Sequence, residues 1–309
     1  MSAKTYPGFD AVKARGWLAA HKWLLVRRAV QLSILALFLA SPLLVPYTGA
    51  WILKGNLTSS LILGTVPLSD PFIVLQSLLA GHLAAGTALI GAAIVLVFYA
   101  LVGGRAYCSF VCPMNIVTDA SLWLVRRFDL SKGWQPGRET RLWILASVMV
   151  TALITGIMAW ELLNPVTILH RGLVYGVGYV WTVALAVFLY DLVVSRRGWC
   201  GHLCPMGAFY GLLGKVSLVR VSAAKRQACN DCMDCYAICP EPHVITPALR
   251  GADGGVGPII LSGDCTNCGR CIDVCSKDVF AFDVRFNNAS TDDKFNDKDK
   301  MISTDRHAA

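Results

Sequence analysis

Four long apolar runs without a charged residue dominate the pattern of hydrophobic and polar positions. They are Ala29 to Tyr47, Leu78 to Gly104, Leu142 to Trp160 and Gly172 to Tyr190. Each run is close to the roughly 20 residues that a helix needs to cross the hydrocarbon of a bilayer. The pattern therefore predicts four transmembrane helices. The first run follows a long charged leader and precedes no A-x-A-like site, which favours an uncleaved anchor over a signal peptide.

The segment from Gly55 to Ser77 is also apolar, but it does not read as a fifth span. Pro67, Asp70 and Pro71 interrupt it. Because proline breaks a helix interior, we expect an external loop or a shallow re-entrant hairpin.

Basic residues alternate along the chain in a way that predicts the orientation in a membrane. Lysine and arginine number six in each of Met1 to Arg28, Arg105 to Arg141 and Asp191 to Ala228, but one in each of Tyr47 to Ser77 and Glu161 to Arg171. Loops rich in these residues stay on the cytoplasmic side, so both termini are expected there. The net charge of +8 then reflects topology. The sequence contains no nucleic-acid-binding motif, and we expect no nucleic-acid partner.

Eight of the twelve cysteines form two C-terminal runs of the form C-x2-C-x2-C-x3-C. This is the bacterial ferredoxin pattern, in which the first three thiolates of a run hold one [4Fe-4S] cluster and the fourth crosses to the other. The predicted ligands are Cys229, Cys232, Cys235 and Cys275 for cluster one, and Cys265, Cys268, Cys271 and Cys239 for cluster two. Zinc is the alternative for paired C-x2-C motifs, but it needs neither the third C-x2-C step nor the last cysteine.

These patterns divide the chain into three parts. Residues 1–228 are predicted to form an all-α membrane domain of four helices in two repeated halves. Residues 229–286 form a small α+β ferredoxin-like domain, for which the two clusters substitute for a large apolar core. Residues 287–309, rich in Asp, Asn and Lys, are expected to be a disordered tail.

The other four cysteines belong to a string, C-x3-C-P-M, that occurs once in each half. It places Cys108 and Cys112 before Pro113, and Cys200 and Cys204 before Pro205. Cysteines four apart on a helix share one face, so the two halves together offer four thiols. They hold a third iron-sulfur centre, act as a redox dithiol, or are buried packing residues.

Three titratable residues lie near the predicted external ends of the helices. They are His82, Glu161 and His170. Ionisable groups at membrane depth are functional candidates by default, and these three are candidates for accepting protons from a quinol. Ordinary interface positions are the alternative.

The motifs together resemble the NapH-type ferredoxin-like membrane proteins associated with periplasmic nitrate reductase. The resemblance rests on four apolar runs, two C-x3-C-P motifs, the string GNLTSSLILGTVPLSDP from Gly55 to Pro71, and two ferredoxin runs. It implies a multi-pass protein of the bacterial inner membrane. Such a protein belongs to a quinol dehydrogenase that passes electrons through a periplasmic iron-sulfur partner of NapG type to nitrate reductase.

Related types share the same plan and leave other roles open. NosR-type and CcoG-type proteins carry additional domains for which this chain has no room, whereas the MauN type is similar throughout. A MauN-like or CcoG-like role in redox maturation, regulation or anchoring is therefore the alternative. A tension also remains, because the clusters are predicted inside the cell and the NapG-type partner lies outside, across about 30 Å of hydrocarbon.

Overall fold

The computed structural model describes residues 6–48, 51–128, 134, 136–176 and 180–287. Its α-helices are α1 (Phe9–Arg15), α2 (Trp17–Ala20), α3 (Lys22–Thr48), α4 (Pro71–Leu79), α5 (Gly86–Val102), α6 (Ala106–Phe110), α7 (Met114–Arg127), α8 (Thr140–Thr155), α9 (Ala159–Leu163), α10 (Pro165–Tyr175), α11 (Val180–Leu189), α12 (Pro205–Gly214), α13 (Asp234–Ile238), α14 (Ile245–Arg250) and α15 (Arg270–Val274). Its strands are β1 (Leu53–Gly55), β2 (Ser59–Ile62), β3 (Val66–Ser69), β4 (Val219–Ser222) and β5 (Ala281–Val284). Two π-helical turns, Tyr190–Val194 and Trp199–Leu203, follow α11.

An apolar helix overlaps each predicted span, but only one of the four is long. By length and composition, Lys22–Tyr47 is the one helix in the described ranges that could cross a membrane. The apolar helices Gly86–Val102, Thr140–Thr155 and Trp181–Val194 are shorter. Four transmembrane helices therefore remain a prediction.

The shorter helices arise because the apolar runs contain helix ends that hydropathy does not detect. In the second run α4 ends at Leu79, and Gly81 has a positive φ of 80° before α5 begins. Gly156 ends α8 with a left-handed backbone, and Gly176 ends α10 in the same way. Glycine adopts this conformation readily, which makes it the common residue after a helix.

The all-α prediction is wrong for the segment that precedes α4. Strands β1, β2 and β3 form an antiparallel sheet in that order, with Ser59 opposite Ser69. Pro67 is tolerated because β3 is an edge strand, where a missing amide costs no ladder hydrogen bond. The sheet packs against α5 at Gly91, where an added Cβ would lie 2.9 Å from the amide nitrogen of Ser69. The segment is thus a folded sheet that packs against the helices, and its predicted position relative to the membrane, external or re-entrant, stays a prediction.

The ferredoxin-like domain contains a small sheet and three short helices. Strand β4 pairs with β5 in antiparallel register, with Val219 opposite Val284. The sheet therefore includes residues that precede the predicted boundary at residue 229. The predicted tail, apart from Asn287, lies outside the described residues.

The N-terminal helices pack against this domain. The amide of Gly8 donates to Asp234 Oδ2 over 3.1 Å. The carboxylate of Asp273, on α15, accepts from the amides of Trp23 and Leu24 over 3.0 and 2.9 Å. These amides belong to the first turn of α3, where no intrahelical acceptor exists. The domain and the beginning of α3 therefore lie at the same end of the helices.

Candidate metal centres

The two ferredoxin loops have the same backbone conformation. In each loop the residues two and four positions after the first cysteine have positive φ. They are Asp231 and Met233 after Cys229, and Asn267 and Gly269 after Cys265. Three of these four are not glycine, and such residues rarely adopt that region without a functional reason. Alternation of right- and left-handed residues turns backbone amides into a concave, anion-binding surface. Both loops are thus shaped to surround an anionic cluster.

The four cysteines predicted to hold cluster one lie together. Cys229, Cys232, Cys235 and Cys275 line one small cavity, so the last cysteine of the second run reaches the first loop. The amide of Val279 points to Cys275 Sγ over 3.4 Å. Soft thiol donors with amides directed at sulfur fit a [4Fe-4S] cluster.

The second set also takes its fourth thiol from the other run. Burial raises the pKa of Cys239, and the nearby Cys268 and Cys265 raise it further. The same set surrounds Cys271, whose pKa is raised by burial and then by Cys268 and Cys239. Within the described residues, no group of three His, Cys, Asp or Glu side chains is arranged to hold a single metal ion.

The two C-x3-C-P motifs form the same unusual turn. The amide of Cys112 donates to the carbonyl of Tyr107 over 3.0 Å, and the amide of Cys204 donates to the carbonyl of Trp199 over 2.9 Å. Each bond reaches five residues back, so the turn is wider than the α-helical spacing that the sequence predicts. Single π-type turns of this kind are frequent at functional sites. A proline follows each turn, and α7 and α12 begin at Met114 and Pro205.

The four thiols of these motifs, called here the four-cysteine site, lie within electrostatic reach of one another. Burial raises the pKa of Cys112, and Cys108 and Cys204 raise it further. Burial and Cys108 also raise the pKa of Cys204, to about 12, although the amide of Gly207 lowers it in part. Burial and then Asp191 raise the pKa of Cys200, and the other three thiols raise it further. The fold therefore joins the two halves at one four-thiol group, a donor set that fits a [4Fe-4S] cluster.

Arg105 connects the four-cysteine site to the second ferredoxin loop. Its side chain is 2% exposed and donates to Glu241 Oε1 over 3.0 Å. It also donates to the carbonyls of Asp264 over 2.8 Å and Cys200 over 3.1 Å. Glu241 follows Cys239 by two residues, and Asp264 precedes Cys265. The buried guanidinium of Arg105 therefore joins Cys200, in the second C-x3-C-P motif, to residues close to Cys239 and Cys265 of the predicted cluster-two ligand set.

A second buried ion group, centred on Asp119, fixes the same loop and includes Arg197 of the second half. The carboxylate of Asp119, on α7, accepts from Arg270 over 2.7 Å at both oxygens, and it also pairs with Arg28 and Arg197. Burial alone would raise the pKa of Asp119, but Arg270 and Arg197 hold it well below its usual range. Arg270 stands between Cys268 and Cys271.

The sequence analysis did not identify Arg105 or Arg197 as functional residues. Arg105 and Arg197 each precede the first cysteine of their motif by three residues. The 92-residue offset of the repeat, already visible in the cysteines, would have identified them as a pair. Their acidic partners had no comparable signal, because Glu241 is 136 residues from Arg105.

The three predicted quinol residues lie elsewhere. His82 is exposed, with Nε2 3.2 Å from the carbonyl of Gly156 at the end of α8. The opposite end of α8 carries Arg141, which pairs with Glu241 over 3.5 Å. Fifteen helical residues separate the two ends by about 22 Å, so His82 is remote from the cysteines.

The other two candidates lie on α9 and α10. Glu161 accepts from Asn164 over 3.4 Å and pairs with Arg171 over 3.5 Å. His170 is buried, with its ring 4.8 Å from that of Phe38 in an edge-to-face contact. None of the contacts described for the three residues involves a cysteine.

Comparison with known families defines the class of protein. A family model described as "4Fe-4S binding domain" matches residues 84–131 and 177–223, one match around each C-x3-C-P motif. A second model, "4Fe-4S dicluster domain", matches residues 228–288. The chain is thus an iron-sulfur protein with a ferredoxin-type domain and two related 4Fe-4S regions before it. No solved structure matches.

Relatives among known proteins define the family. The chain is 53% identical to the methylamine utilization ferredoxin-type protein MauN of Methylorubrum extorquens, over 89% of this chain and 94% of the relative. It is 46% identical to the ferredoxin-type protein NapH of Escherichia coli, over 92% and 96% of the two chains. The chain belongs to the family of ferredoxin-type proteins that includes NapH and MauN, which confirms the resemblance seen in the motifs.

Proposed function

We propose that the protein is the membrane-embedded electron-transfer component of a quinol dehydrogenase. It oxidises quinol in the bacterial inner membrane and passes the electrons toward periplasmic nitrate reductase, with an iron-sulfur protein of NapG type as partner. The observation that carries the proposal is the close succession of three four-cysteine groups. The four-cysteine site is joined to the cluster-two loops by Arg105, and cluster two shares its two cysteine runs with cluster one.

The three groups suit the stoichiometry of quinol oxidation. A quinol becomes a quinone by releasing two electrons and two protons, whereas a [4Fe-4S] cluster accepts one electron at a time. Three successive clusters would separate the two electrons. The protein tunes such centres through amides and buried charges around the sulfurs. Here the amide of Gly207 and the guanidinium of Arg105 are placed beside the four-cysteine site.

The proposed topology follows the charge pattern. The apolar helices cross the inner membrane four times, with both termini and the ferredoxin-type domain in the cytoplasm. In support, α1 and the beginning of α3 pack on that domain, and Lys22–Tyr47 is long and apolar enough to span.

A second function has support from the comparisons. Two MauN relatives share 53% and 54% identity with this chain, and two NapH relatives share 46% and 44%. In this alternative the protein acts in methylamine utilization, as a redox maturation factor or as an anchor for another redox protein. It would hold its clusters without oxidising quinol.

Cluster content and quinol reactivity distinguish these proposals. The anaerobically purified protein, in lipid nanodiscs, is assayed for iron and sulfide and then mixed with menadiol while electron paramagnetic resonance signals are counted. We expect about twelve irons per chain, four for each of three clusters, and cluster reduction by menadiol. About eight irons would leave the four cysteines as a redox dithiol or as packing residues. Reduction by dithionite but never by menadiol would contradict the quinol dehydrogenase function and favour the MauN-like role.

A further inference from the structure

A large apolar cavity lies beside the four-cysteine site. It has a volume of about 910 Å³ and is bounded by α3, the three-stranded sheet, α5 and α6. This volume is in the range of cavities that hold cofactors and drug-sized ligands. None of His82, Glu161 and His170 lines it.

The exposed part of the cavity lining, called here the mouth, is apolar. Leu37 on α3 and Ile94 and Phe98 on α5 line it and are 48%, 42% and 53% exposed. α3 is the helix that is long enough to span a membrane. An opening between apolar, outward-facing side chains of this helix and its neighbour suits a ligand that arrives from the bilayer and not from water.

The inner end of the cavity carries a carboxylate with a spare acceptor. Asp70 is 4% exposed. Its Oδ1 accepts from the amide of Phe72 over 2.9 Å and from the hydroxyl of Tyr210 over 3.4 Å. Its Oδ2 is buried and has no hydrogen-bond partner in the described part of the chain. A buried carboxylate oxygen without a donor is costly, so a ligand hydroxyl that donates to it would be bound strongly.

The cavity also reaches the predicted redox centres. Tyr107, which precedes Cys108, lines it and stacks on Tyr210 with ring centroids 4.9 Å apart. Asn267, between Cys265 and Cys268, lines it as well. A ligand held there would therefore lie beside both the four-cysteine site and the cluster-two loop.

We infer that this cavity is the binding site for membrane quinol, with a quinol hydroxyl donating to Asp70 Oδ2 and the isoprenoid tail leaving between α3 and α5. The inference rests on the proposed function for the identity of the ligand. Four features select a quinol: a lipophilic entrance, an apolar interior, an acceptor for a hydroxyl, and neighbouring redox thiols.

Two pairs of variants test the site in nanodiscs. Asp70→Asn keeps the helix cap, because asparagine caps as well as aspartate, but it removes the carboxylate acceptor. At pH 8, above the value of about 7 to which burial raises the pKa of Asp70, we expect reduction of the clusters by menadiol to slow roughly 10- to 100-fold, the loss typical of a hydrogen bond to a charged group, with iron content and dithionite reduction unchanged. Glu161→Gln, the matched carboxyl outside the cavity, should react as the wild type does.

The second pair tests occupancy without relying on activity. Ile94→Trp fills the mouth, whereas Leu89→Trp adds the same ring at a site on α5 that is 44% exposed and outside the lining. Binding of menadione, measured by equilibrium dialysis against the nanodiscs with empty nanodiscs subtracted, should weaken in Ile94→Trp alone.

The outcomes separate the site from the function. If menadiol reduces the wild type and the Asp70 and Ile94 variants equally well, or if menadione does not bind the wild type, the site is wrong. If menadione binding is lost only in Ile94→Trp while menadiol reduces no form of the protein, the site stands and the quinol dehydrogenase function fails. A defect in Glu161→Gln but not in Asp70→Asn would move the site to α9.

Discussion

The two halves of the helical region carry the same C-x3-C-P motif, but the residues that cap helices α4 and α10 differ. Helices α4 and α10 both start with proline and both have a side-chain cap, Asp70 in one half and Asn164 in the other. Each cap accepts from the amide two residues on, over 2.9 and 3.1 Å. The amide nitrogen of Asn164 is also bonded, to Thr167 Oγ1 over 2.9 Å, whereas Asp70 Oδ2 has no partner in the described residues.

The difference between Asp70 and Asn164 separates helix capping, a structural requirement, from the chemical role of a buried carboxylate. Capping is served equally by Asp and Asn, so the cap does not explain a buried carboxylate in the first half. Asp70 lines the cavity, and within the described residues only the first half contributes a three-stranded sheet, which bounds the cavity. The four-cysteine site is therefore expected to depend on both halves equally, and the carboxylate acceptor for quinol on the first half, although Tyr210 of the second half also lines the cavity.

Replacement of equivalent cysteines gives the largest expected effect. Cys108→Ser and Cys200→Ser should each remove the same four irons, because each half supplies two of the four thiols. Menadiol reduction of the remaining clusters should slow by about 100-fold in both, at the upper end of losses seen when metal-site residues change.

The measurement is iron content with stopped-flow reduction, and the matched comparison is Ser109→Ala, beside Cys108. Ser109 Oγ donates to the Thr266 carbonyl over 2.8 Å and supplies no thiol, so this variant should keep all its iron. If only one cysteine variant lost iron, the two halves would not share one centre.

Replacement of the equivalent arginines should be less severe and unequal. Arg105→Met removes the buried donor to Glu241 and to two carbonyls and leaves Glu241 with only the longer pair to Arg141, a loss of about 3 kcal/mol in the free energy of unfolding. Arg197→Met should cost less, because Asp119 retains Arg270 and Arg28.

Chemical denaturation followed by cluster absorbance measures both arginine variants. Arg250→Met is the control, since its pair with Asp231 is exposed on both sides and such pairs contribute little. Equal losses for Arg105→Met and Arg197→Met would mean that the two arginines play the same supporting role.

The features that sequence predicts well here are the local ones. The ferredoxin ligand sets follow from spacings of two and three residues, and the structure places the members of each set together. The repeat also indicated that the two C-x3-C-P motifs belong together. Both signals need only short stretches of chain, because the loop between two cysteines fixes where their sulfurs point.

The features that it missed depend on contacts between distant residues. Pro67, Asp70 and Pro71 interrupt the apolar segment and predict an external loop or a re-entrant hairpin, but Pro67 lies on an edge strand and the other two residues begin α4. What places Asp70 beside the cysteines is the packing of the sheet on Gly91, and hydropathy carries no information on that contact. The three quinol candidates predicted at helix ends do not line this cavity, and their role stays a prediction.

The smallest expected effect concerns the cap of the second half. Asn164→Ala removes the acceptor for the amide of Val166 and should cost about 1 kcal/mol of stability, the usual value for a lost cap. The menadiol rate should not change, since this side chain lies outside the cavity. Thermal unfolding and stopped-flow reduction in the same nanodiscs measure the two quantities. A rate loss as large as that of Asp70→Asn would show that disturbing either cap slows the reaction, and the carboxylate of Asp70 would then have no special part in binding quinol.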